Sequence, residues 1–433
     1  MTVITRNKKI AIGSGIVLAT AIVIAVFFYQ FSAPQRTAEE ERIVINLATT
    51  EEEFIPKLKE QGYIRSEWAF NFVLKRKGWQ GKIEPGGYIV SKGMDAWFLA
   101  DTLVNHPYQK WIVIPEGLRK EEIAEMVQEK IGWPEVEERR FLSWTKEGYL
   151  FPDTYLLNVD YTGQEVAERM KDKFNEEVAD LFKEAEKNNI RNDTLIVLAS
   201  LIQREAGNEK QMPLVAGIIW NRWLQDMRFE IDATVQYALG EPGNWWKKVK
   251  PEEYKTDSPY NTYLHTGRPP APICNPGLAA IDAVINSEDS EYLYYLHDSE
   301  GQIHPAKTYE EHQTNIEQYL LDTVTGRITD VALSAKVITI QEQQGKEISV
   351  ALTEKTMLLN KDKKEIKLKD FQRGDIIEAK GRRTEAGSFI PSKIRILSIS
   401  EVELIPPDFF IPSFNEESKV EFEAQEEQVE LLE

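Results

Sequence analysis

The segment Leu195–Gly207, with the sequence LIVLASLIQREAG, indicates how the middle of this 433-residue chain folds. Apolar residues occupy nearly every position as far as Ile202, which predicts a core helix that is buried on nearly all sides. Gly207 interrupts the pattern and predicts the end of the helix. Glu205 follows Ile202 by three residues and Leu198 by seven, so it lies on the same face of the helix as these two side chains.

Glu205 therefore combines a carboxyl group with an apolar helix face at the point where the helix ends. Burial beside Leu and Ile side chains disfavours the charged form of a carboxyl group and raises its pKa. A general acid that works near neutral pH needs such a raised pKa, which makes Glu205 a candidate proton donor. The spacing also permits a structural role, in which Glu205 forms an ion pair with Arg204, Arg222 or Arg228.

The N-terminus has the composition of a membrane anchor. Three basic residues precede an uncharged run at residues 10–31, and about 20 apolar residues in a helix cross the hydrocarbon core of a bilayer. The basic residues before the run and the acidic cluster Glu39–Glu41 after it predict a cytoplasmic end at residues 1–9, a single-pass cell-membrane anchor at 10–32 and an extracytoplasmic body. A cleaved signal peptide is the competing interpretation, although its apolar region would be shorter.

The charge of the chain excludes one class of partner. Asp and Glu number 71 against 52 Lys and Arg, a formal net charge of -19, whereas a nucleic-acid-binding protein needs clustered basic residues. Residues 401–433 are rich in Glu, and we expect them to form a solvated, disordered tail. Cys274 is the sole cysteine and the five His residues lack the spacing of a zinc site, so the sequence predicts neither a disulfide nor a metal.

The length favours two or three folded units, and the pattern of elements predicts an α+β fold. Strands and helices that alternate at residues 42–115 indicate a small first unit, and residues 116–322 are predicted to be mainly helical with long loops. Short strands between turns at 325–400 indicate a small antiparallel, OB-like barrel. The predicted helices cover residues 51–61, 66–77, 95–104, 120–131, 163–188, 193–207, 211–225 and 278–287, and the predicted strands cover 42–48, 87–90, 111–114, 337–340, 348–352, 375–379 and 392–396.

Three clusters, at residues 147–155, 229–235 and 258–277, combine aromatic rings with acids, amides and hydroxyl groups. Aromatic rings cover the apolar face of a sugar, while carboxylates and amides bind its hydroxyl groups. Each cluster taken singly is also explained by Pro and Asn residues that form turns and by Tyr side chains that pack. Taken together, the clusters favour a polar, aromatic cleft.

Several short motifs follow one another along the chain in a characteristic order and spacing. Each motif alone is a weak signal of family membership, but the combination is highly specific. The motifs are Pro115-Glu116-Gly117, Glu147-Gly148 through Tyr155, Ala199 through Glu205, Asn221-Arg222, Asp232 through Val235, Ser258 through Tyr263, Asn275-Pro276-Gly277, Tyr292 through Tyr295, His304 and His312. Through them, residues 42–321 resemble the YceG-like endolytic murein transglycosylase family. One departure is Pro305, which follows His304 where relatives usually carry an aromatic residue.

The resemblance implies a membrane anchor, a LysM-like subdomain at about 42–115 and a catalytic domain at 116–322. It implies cleavage of the MurNAc–GlcNAc β-1,4 bond within nascent peptidoglycan strands, which would terminate their elongation. It implies no cofactor, and it implies penicillin-binding synthases as partners besides the glycan strands. The family's catalytic Glu lies on the helix matched by residues 199–205. Many relatives have two Glu residues there, and because the first position here is Gln203, Glu205 is the implied acid.

As the resemblance implies, a transglycosylase of this kind needs one carboxyl group, because the C6 hydroxyl of MurNAc replaces water as the nucleophile. Glu205 would protonate the leaving oxygen and then accept the C6 hydroxyl proton, which leaves a 1,6-anhydroMurNAc end. The candidate substrate-binding residues are Glu147, Asp153, Asn221, Asp232, Thr234, Tyr260, Asn261, Thr262, Tyr263 and Asn275.

Two other functions stay open. The chain could be a non-catalytic, membrane-tethered glycan-binding scaffold of the cell-wall elongation machinery. It could also be a hydrolase that pairs Glu205 with Asp232 or Glu147, since hydrolysis with water normally needs two carboxyl groups. A Ser/His or metal hydrolase has no supporting motif.

Overall fold

The structure, a computed structural model, describes residues 2–342, 345–383 and 388–398, with side chains described from residue 15 onward. The fold is of mixed α+β class, as the sequence predicts. It divides into two compact units, Met1–Glu291 and Tyr292–Glu433. The domain boundaries predicted near residues 115 and 322 stay predictions, and the tail predicted at 401–433 lies outside the described residues.

The first unit begins with a long helix, α1, at Thr2–Phe31. Within the part of the chain that the structure describes, we find no helix whose length and apolar character suffice to cross a membrane. The anchor predicted at residues 10–32 stays a prediction. The last turn of α1 packs against the body of the unit, where Phe31 is buried.

A four-stranded antiparallel sheet follows, with its strands in sequence order. The strands are β1 at Glu40–Ile45, β2 at Gly86–Ser91, β3 at Gln109–Val113 and β4 at Thr154–Asn158. The first three match the predicted strands to within a few residues. The fourth strand was not predicted, because the sequence favoured a cleft at residues 147–155. In the structure, β4 places the Tyr155 side chain in the core.

Three helices pack with this sheet: α2 at Glu51–Glu60, α3 at Glu67–Lys77 and α4 at Ala96–Asn105. The start of α3 is capped by the Ser66 hydroxyl, which accepts a hydrogen bond from the Ala69 backbone N–H. Its end is Gly78, whose φ of 69° is left-handed and favours glycine. All three helices lie where the sequence predicts them.

The rest of the first unit is mainly helical. The helices are α5 at Lys120–Ile131, α6 at Glu135–Trp144, α7 at Gly163–Lys187, α8 at Asn192–Glu205, α9 at Met212–Leu224, α10 at Asp232–Leu239 and α11 at Leu278–Ile285. In α8 every residue from Thr194 to Ile202 is buried, so the predicted core helix is confirmed. The helices α6 and α10 were not predicted from the sequence. α10 is short and begins inside the polar cluster at 229–235.

The second unit starts with the hairpin of β5 and β6 and the short helix α12. These elements lie at Tyr294–His297, Ile303–Ala306 and Tyr309–Asn315.

A six-stranded sheet follows. Its strands are β7 at Asp322–Ala332, β8 at Val337–Gln341, β9 at Glu347–Ala351, β10 at Met357–Leu359, β11 at Ile376–Arg383 and β12 at Phe389–Ile396. The strands are hydrogen-bonded in the order β10-β12-β11-β7-β8-β9, with a further pairing of β12 to β9. The pairings of β12 with β10 and with β9 are parallel. The OB-like barrel stays a prediction.

The core between α3 and the first sheet gives a stability prediction. Phe70 is fully buried in α3, so Phe70→Ala should lower the free energy of unfolding by about 3–5 kcal/mol. Phe98→Ala is the matched control: its ring is 57% exposed, and we expect a loss within about 0.5 kcal/mol. Chemical denaturation of both variants provides the measurement, and similar losses for the two would contradict the described packing.

Candidate functional site

The candidate site forms where α8 leaves the core. Glu205 is the last residue of this helix and is half-buried. The loop that contains Ile273 and Cys274 is held against α8 through Ser200. The Ser200 hydroxyl accepts a hydrogen bond from the Ile273 backbone N–H at 3.1 Å. The Cys274 thiol donates to the Ser200 carbonyl oxygen at 3.3 Å. The packing of α8 therefore places Glu205 at the border between the core and solvent.

Gln203, two residues before Glu205, makes structural contacts. Its Oε1 accepts a hydrogen bond from the Gly277 backbone N–H at 2.9 Å, and its side chain hydrogen-bonds the Glu116 carboxyl group. Burial raises the pKa of Glu116, while the bond from Gln203 acts in the opposite direction and the negative charge of Glu209 adds to the increase. A Cβ at Gly277 would lie only 1.7 Å from the Glu116 Oε1, so a side chain there would displace the Glu116 carboxyl group from its present position.

A carboxylate and two tyrosines form a polar cluster, Asp232–Tyr254–Tyr263. The Tyr263 hydroxyl donates to the Asp232 Oδ1 at 2.6 Å and the Tyr254 hydroxyl donates to Oδ2 at 3.2 Å. Burial raises the pKa of Tyr263, with further contributions from Asp232 and from the charge of Glu205. Glu205 and this cluster are thus close enough to influence each other electrostatically. Asp232 is exposed, so its carboxylate is accessible to a ligand.

Thr234, Thr262 and Asn261 hold this arrangement together from inside. The hydroxyl oxygens of Thr234 and Thr262 lie 3.0 Å apart, and the Thr262 hydroxyl also accepts a bond from the Ile231 N–H at 3.0 Å. The Asn261 Nδ2 donates to the Thr256 carbonyl at 2.8 Å. All three side chains are buried. The structure therefore gives them supporting positions behind the cluster rather than positions on an open sugar-binding surface.

Glu147 is a buried carboxyl group with an exposed fraction of 6%. Its Oε1 accepts hydrogen bonds from the Asn275 Nδ2 at 2.9 Å and the Lys120 N–H at 3.2 Å, and the Tyr237 hydroxyl donates to its Oε2 at 3.5 Å. Burial raises the pKa of Glu147 from 4.5 to about 8, and the negative charge of Glu121 adds to this effect. The Lys120 N–H acts in the opposite direction.

Asn275 is fully buried and joins three segments that are distant in sequence. Its Nδ2 donates to the Leu118 carbonyl at 3.0 Å as well as to Glu147, and its Oδ1 accepts a bond from the Leu150 N–H at 3.0 Å. Its backbone carbonyl accepts a bond from the Gly117 N–H at 2.8 Å. These contacts explain why the motifs at 115–117, 147–155 and 275–277 occur together.

An aromatic wall that sequence reasoning missed surrounds Arg119. Its guanidinium lies 4.1 Å from the ring centroid of Tyr237 and 4.7 Å from that of Trp245. Tyr237 in turn packs against Tyr260, with 4.8 Å between the ring centroids. Tyr260 is therefore half-buried in this wall. Arg119 lies more than a hundred residues before the three aromatic residues, and only Tyr260 belongs to a motif that pointed to sugar binding.

Two predicted site residues lie in other surroundings. The Asn221 Nδ2 donates to the Ser290 carbonyl at 2.7 Å, which ties α9 to the end of the first unit. Asp153 lies 3.8 Å from the Lys173 Nζ and lines a cavity of about 670 Å³ between β4 and α7. The lining of that cavity includes neither Glu205 nor Asp232.

The two motif histidines belong to the second unit. The His304 Nε2 lies 2.7 Å from the Asp298 Oδ2, and its ring stacks on that of Tyr319. The His304 hydrogen bond holds the pKa of Asp298 below its ordinary value. The His312 ring stacks on Tyr294 at 5.4 Å between centroids. These contacts stabilise the β5–β6 hairpin and α12.

The fold is of mixed α+β class, and the candidate site places the half-buried Glu205 within electrostatic reach of the Asp232–Tyr254–Tyr263 cluster. Residues 43–318 match the YceG-like family. The chain therefore belongs to the YceG-like family.

Relatives with curated names support this assignment. An endolytic murein transglycosylase of Bacillus subtilis strain 168 is 30% identical over 292 residues, which are 61% of this chain and 80% of that protein. A protein of the same name from Streptococcus pneumoniae strain D39 is 25% identical over 305 residues, which are 61% of this chain and 55% of that protein.

A solved structure is also similar to this chain. The crystal structure of the YceG-like protein lmo1499 of Listeria monocytogenes is 25% identical in sequence and has a TM-score of 0.43. The match covers 64% of this chain and 99% of that one.

The buried Glu147 gives a prediction about stability and pH. The pKa of Glu147 is higher in the folded chain than its ordinary value of 4.5, so the folded state binds more protons between pH 4.5 and about 8. The stability contributed by the neutral form is therefore lost as the pH rises through this window. Glu147→Gln, which is isosteric and cannot ionise, should remove this loss.

Chemical unfolding of both proteins at several pH values between 4.5 and about 8 provides the measurement. We expect the difference in stability between Glu147→Gln and the natural protein to grow with pH. A difference that is constant across this window would contradict the described burial of Glu147. Glu186→Gln, at an exposed position on α7, is the matched control and should leave the pH dependence unchanged.

Proposed function

We propose that this chain is an endolytic murein transglycosylase, an enzyme that cleaves the MurNAc–GlcNAc β-1,4 bond of nascent peptidoglycan strands and terminates their elongation. The observation that carries the proposal is the position of Glu205, half-buried at the end of a core helix and within electrostatic reach of Tyr263. Membership of the YceG-like family and the names of the Bacillus and Streptococcus relatives support it.

Glu205 is the proposed acid and base. Gln203, the other polar position at this point of the helix, already accepts a bond from Gly277 and binds Glu116. An amide cannot donate and recover a proton as a carboxyl group does. Glu205 is therefore the residue in this segment that can carry the reaction.

The proposed reaction has two proton transfers and uses no water. Glu205 donates a proton to the glycosidic oxygen, so that the C1–O4 bond breaks and GlcNAc leaves with a C4 hydroxyl group. The Glu205 carboxylate then accepts the proton of the MurNAc C6 hydroxyl while O6 bonds to C1. The product is a 1,6-anhydroMurNAc end, and Glu205 is protonated again for the next cycle.

Asp232 and Tyr263 are proposed to bind the sugar and stabilise the transition state. C1 becomes positively charged as the glycosidic bond breaks, and an exposed carboxylate nearby stabilises such a charge. The Tyr263 hydroxyl fixes the orientation of that carboxylate through the 2.6 Å hydrogen bond. Tyr260 in the aromatic wall supplies an apolar ring for stacking. Asn221, Asn261, Thr234, Thr262 and Asn275 would act by positioning these groups.

Hydrolysis is a second candidate, favoured by the exposure of Asp232. This carboxylate could activate water on the other side of the sugar and serve as the partner of Glu205. Glu147 is poorly suited to this role, because it is buried and bound to Asn275, Lys120 and Tyr237. The fate of water in the product distinguishes hydrolysis from transglycosylation.

We propose a location at the outer face of the cell membrane, with α1 as a single-pass anchor. Support comes from the exposed apolar side chains at residues 16–28 of this helix and from the basic residues before them. Residues 42–115 are proposed to form the LysM-like subdomain and residues 325–400 an OB-like accessory barrel. Penicillin-binding synthases that make the glycan strands are the proposed protein partners.

The proposed transglycosylase function predicts that the variant Glu205→Gln loses its catalytic activity. The amide keeps the shape of the side chain and therefore the fold and strand binding, but it cannot transfer the proton, so release of anhydromuropeptides from sacculi should fall by about 100-fold or more. Glu209→Gln, an equivalent change at an exposed position, should retain activity. Release at the natural rate by Glu205→Gln would refute the assigned catalyst.

The nature of the product is a separate prediction. Mass spectrometry of sacculi digested in H₂¹⁸O should find 1,6-anhydro ends without added water or ¹⁸O. Asp232→Asn should slow the reaction by about 10- to 100-fold without changing the product, because Asp232 stabilises charge rather than activating water. Reducing ends that carry ¹⁸O would establish the hydrolase instead.

A further inference from the structure

We propose that α3 and the last two turns of α1 form a lipid-binding surface, which seats the first unit on an anionic membrane. The proposal rests on the membrane anchorage proposed above and goes beyond it, because it assigns membrane contact to the folded body of the chain. We call the surface the aromatic patch and define it by Phe27, Phe28, Trp68 and Phe72.

The rings of the patch pack into one continuous surface. Phe31 lies buried beneath it, with its centroid 5.9 Å from that of Trp68 and 5.7 Å from that of Phe72. Trp68 and Phe72 stack on each other at 5.8 Å, and Phe27 contacts Trp68 at 5.7 Å and Phe28 at 5.6 Å. The patch therefore unites side chains from α1 and α3.

The outer faces of these rings are open to the surroundings. Trp68 is 55% exposed, Phe72 39% and Phe28 66%. Each Å² of exposed apolar surface costs roughly 25 cal/mol relative to burial. A contiguous exposed group of large apolar rings is therefore typical of a surface that is covered by a partner or a membrane.

Arg65 fixes the geometry between α1 and α3. Its guanidinium donates to the carbonyl oxygens of Ala33 and Pro34 at 2.8 and 2.9 Å and to the Tyr29 hydroxyl at 2.6 Å. It also lies 4.2 Å from the centroid of the Tyr29 ring. The chain that leaves α1 is thereby bound to Arg65, two residues before the start of α3, so the patch keeps a defined orientation to the end of α1.

The charge along α3 favours a lipid surface as the occupant. Lys75, Arg76 and Lys77 are exposed in the last turn, beginning three residues after Phe72. Glu67, at the other end, is paired with Lys59 at 3.1 Å. Exposed aromatic rings followed by exposed basic residues match the boundary of a bilayer, where Trp side chains lie among the headgroups and basic residues attract anionic lipids. The exposed apolar side chains of α1 continue the same surface into the proposed anchor.

Lipid quenching of a fluorescent label tests the proposal on the full-length protein. Asn71→Cys carries the label on the exposed face of α3, and Cys274 does not compete for the label because it is buried. The protein is reconstituted into vesicles of phosphatidylethanolamine and phosphatidylglycerol that contain a lipid with a nitroxide near its headgroup. We expect quenching at least about twofold stronger than for the same label at Glu186→Cys, an exposed position on α7.

A label at Val23→Cys in α1, with a nitroxide deep in the acyl chain, reports the anchorage separately. Quenching at Val23 without an excess at Asn71 over Glu186 would overturn the seating of α3 and leave the anchor in place. The absence of quenching at both Val23 and Asn71 would overturn both proposals. An Asn71 label that is shielded from iodide but not quenched by the nitroxide lipid would show that a second copy of the chain covers the patch, which also contradicts the proposal.

Variants of Phe72 test the role of the ring itself. Phe72→Ser, combined with the label at Asn71, should reduce the lipid quenching to nearly that of Glu186, whereas Phe72→Tyr should preserve it because tyrosine also partitions into the interface. Glycan cleavage of detached sacculi in detergent should be unchanged in both variants, which verifies that they are folded. Equal lipid quenching in the Ser and Tyr variants would overturn the assignment of Phe72.

Discussion

The burial of α8 is the constraint on which the first unit depends. Residues 194–202 of this helix are buried, so elements must cover it on all sides, and α7, α9, α10 and α11 all pack against it. Apolar surface strongly favours such coverage. The cover ends at Glu205, and the position of this carboxyl group between core and solvent is thus a consequence of packing. The proposed chemistry needs such a fixed position, and the burial of the preceding turns of the helix supplies it.

Paired polar side chains in the interior hold the long loops of the site in place. An unpaired buried polar group costs about 1–3 kcal/mol, so buried amides, hydroxyls and carboxyls in a loop must find partners. Asn275 finds them at residues 118, 147 and 150, and Thr262 finds them at 231 and 234. These bonds replace regular secondary structure between residues 240 and 277. They also explain how an irregular segment presents Tyr260 and Tyr263 at defined positions.

The proposed chemistry and the proposed membrane contact both depend on solvent exposure, of a carboxyl group in one case and of aromatic rings in the other. At the site, partial burial lets one carboxyl group exchange a proton with a glycosidic bond. At the aromatic patch, Trp68 and Phe72 expose surface that a bilayer would remove from water. The seated α3 would keep the first unit close to the membrane, where glycan strands are made.

Local features of the sequence determined much of the secondary structure and placed Glu205 at the end of an apolar helix face. The apolar run of α8, the Ser66 cap and Gly78 after α3 act over a few residues, so their consequences can be predicted from the sequence alone. The tertiary structure decided the rest. Asn275 was a candidate sugar contact, yet its partners lie more than a hundred residues away and hold it in the interior. The strand β4 likewise forms because β3 pairs with it. Contacts between residues distant in sequence leave no local periodic pattern, and therefore only folding reveals which polar residues face a substrate and which support those that do.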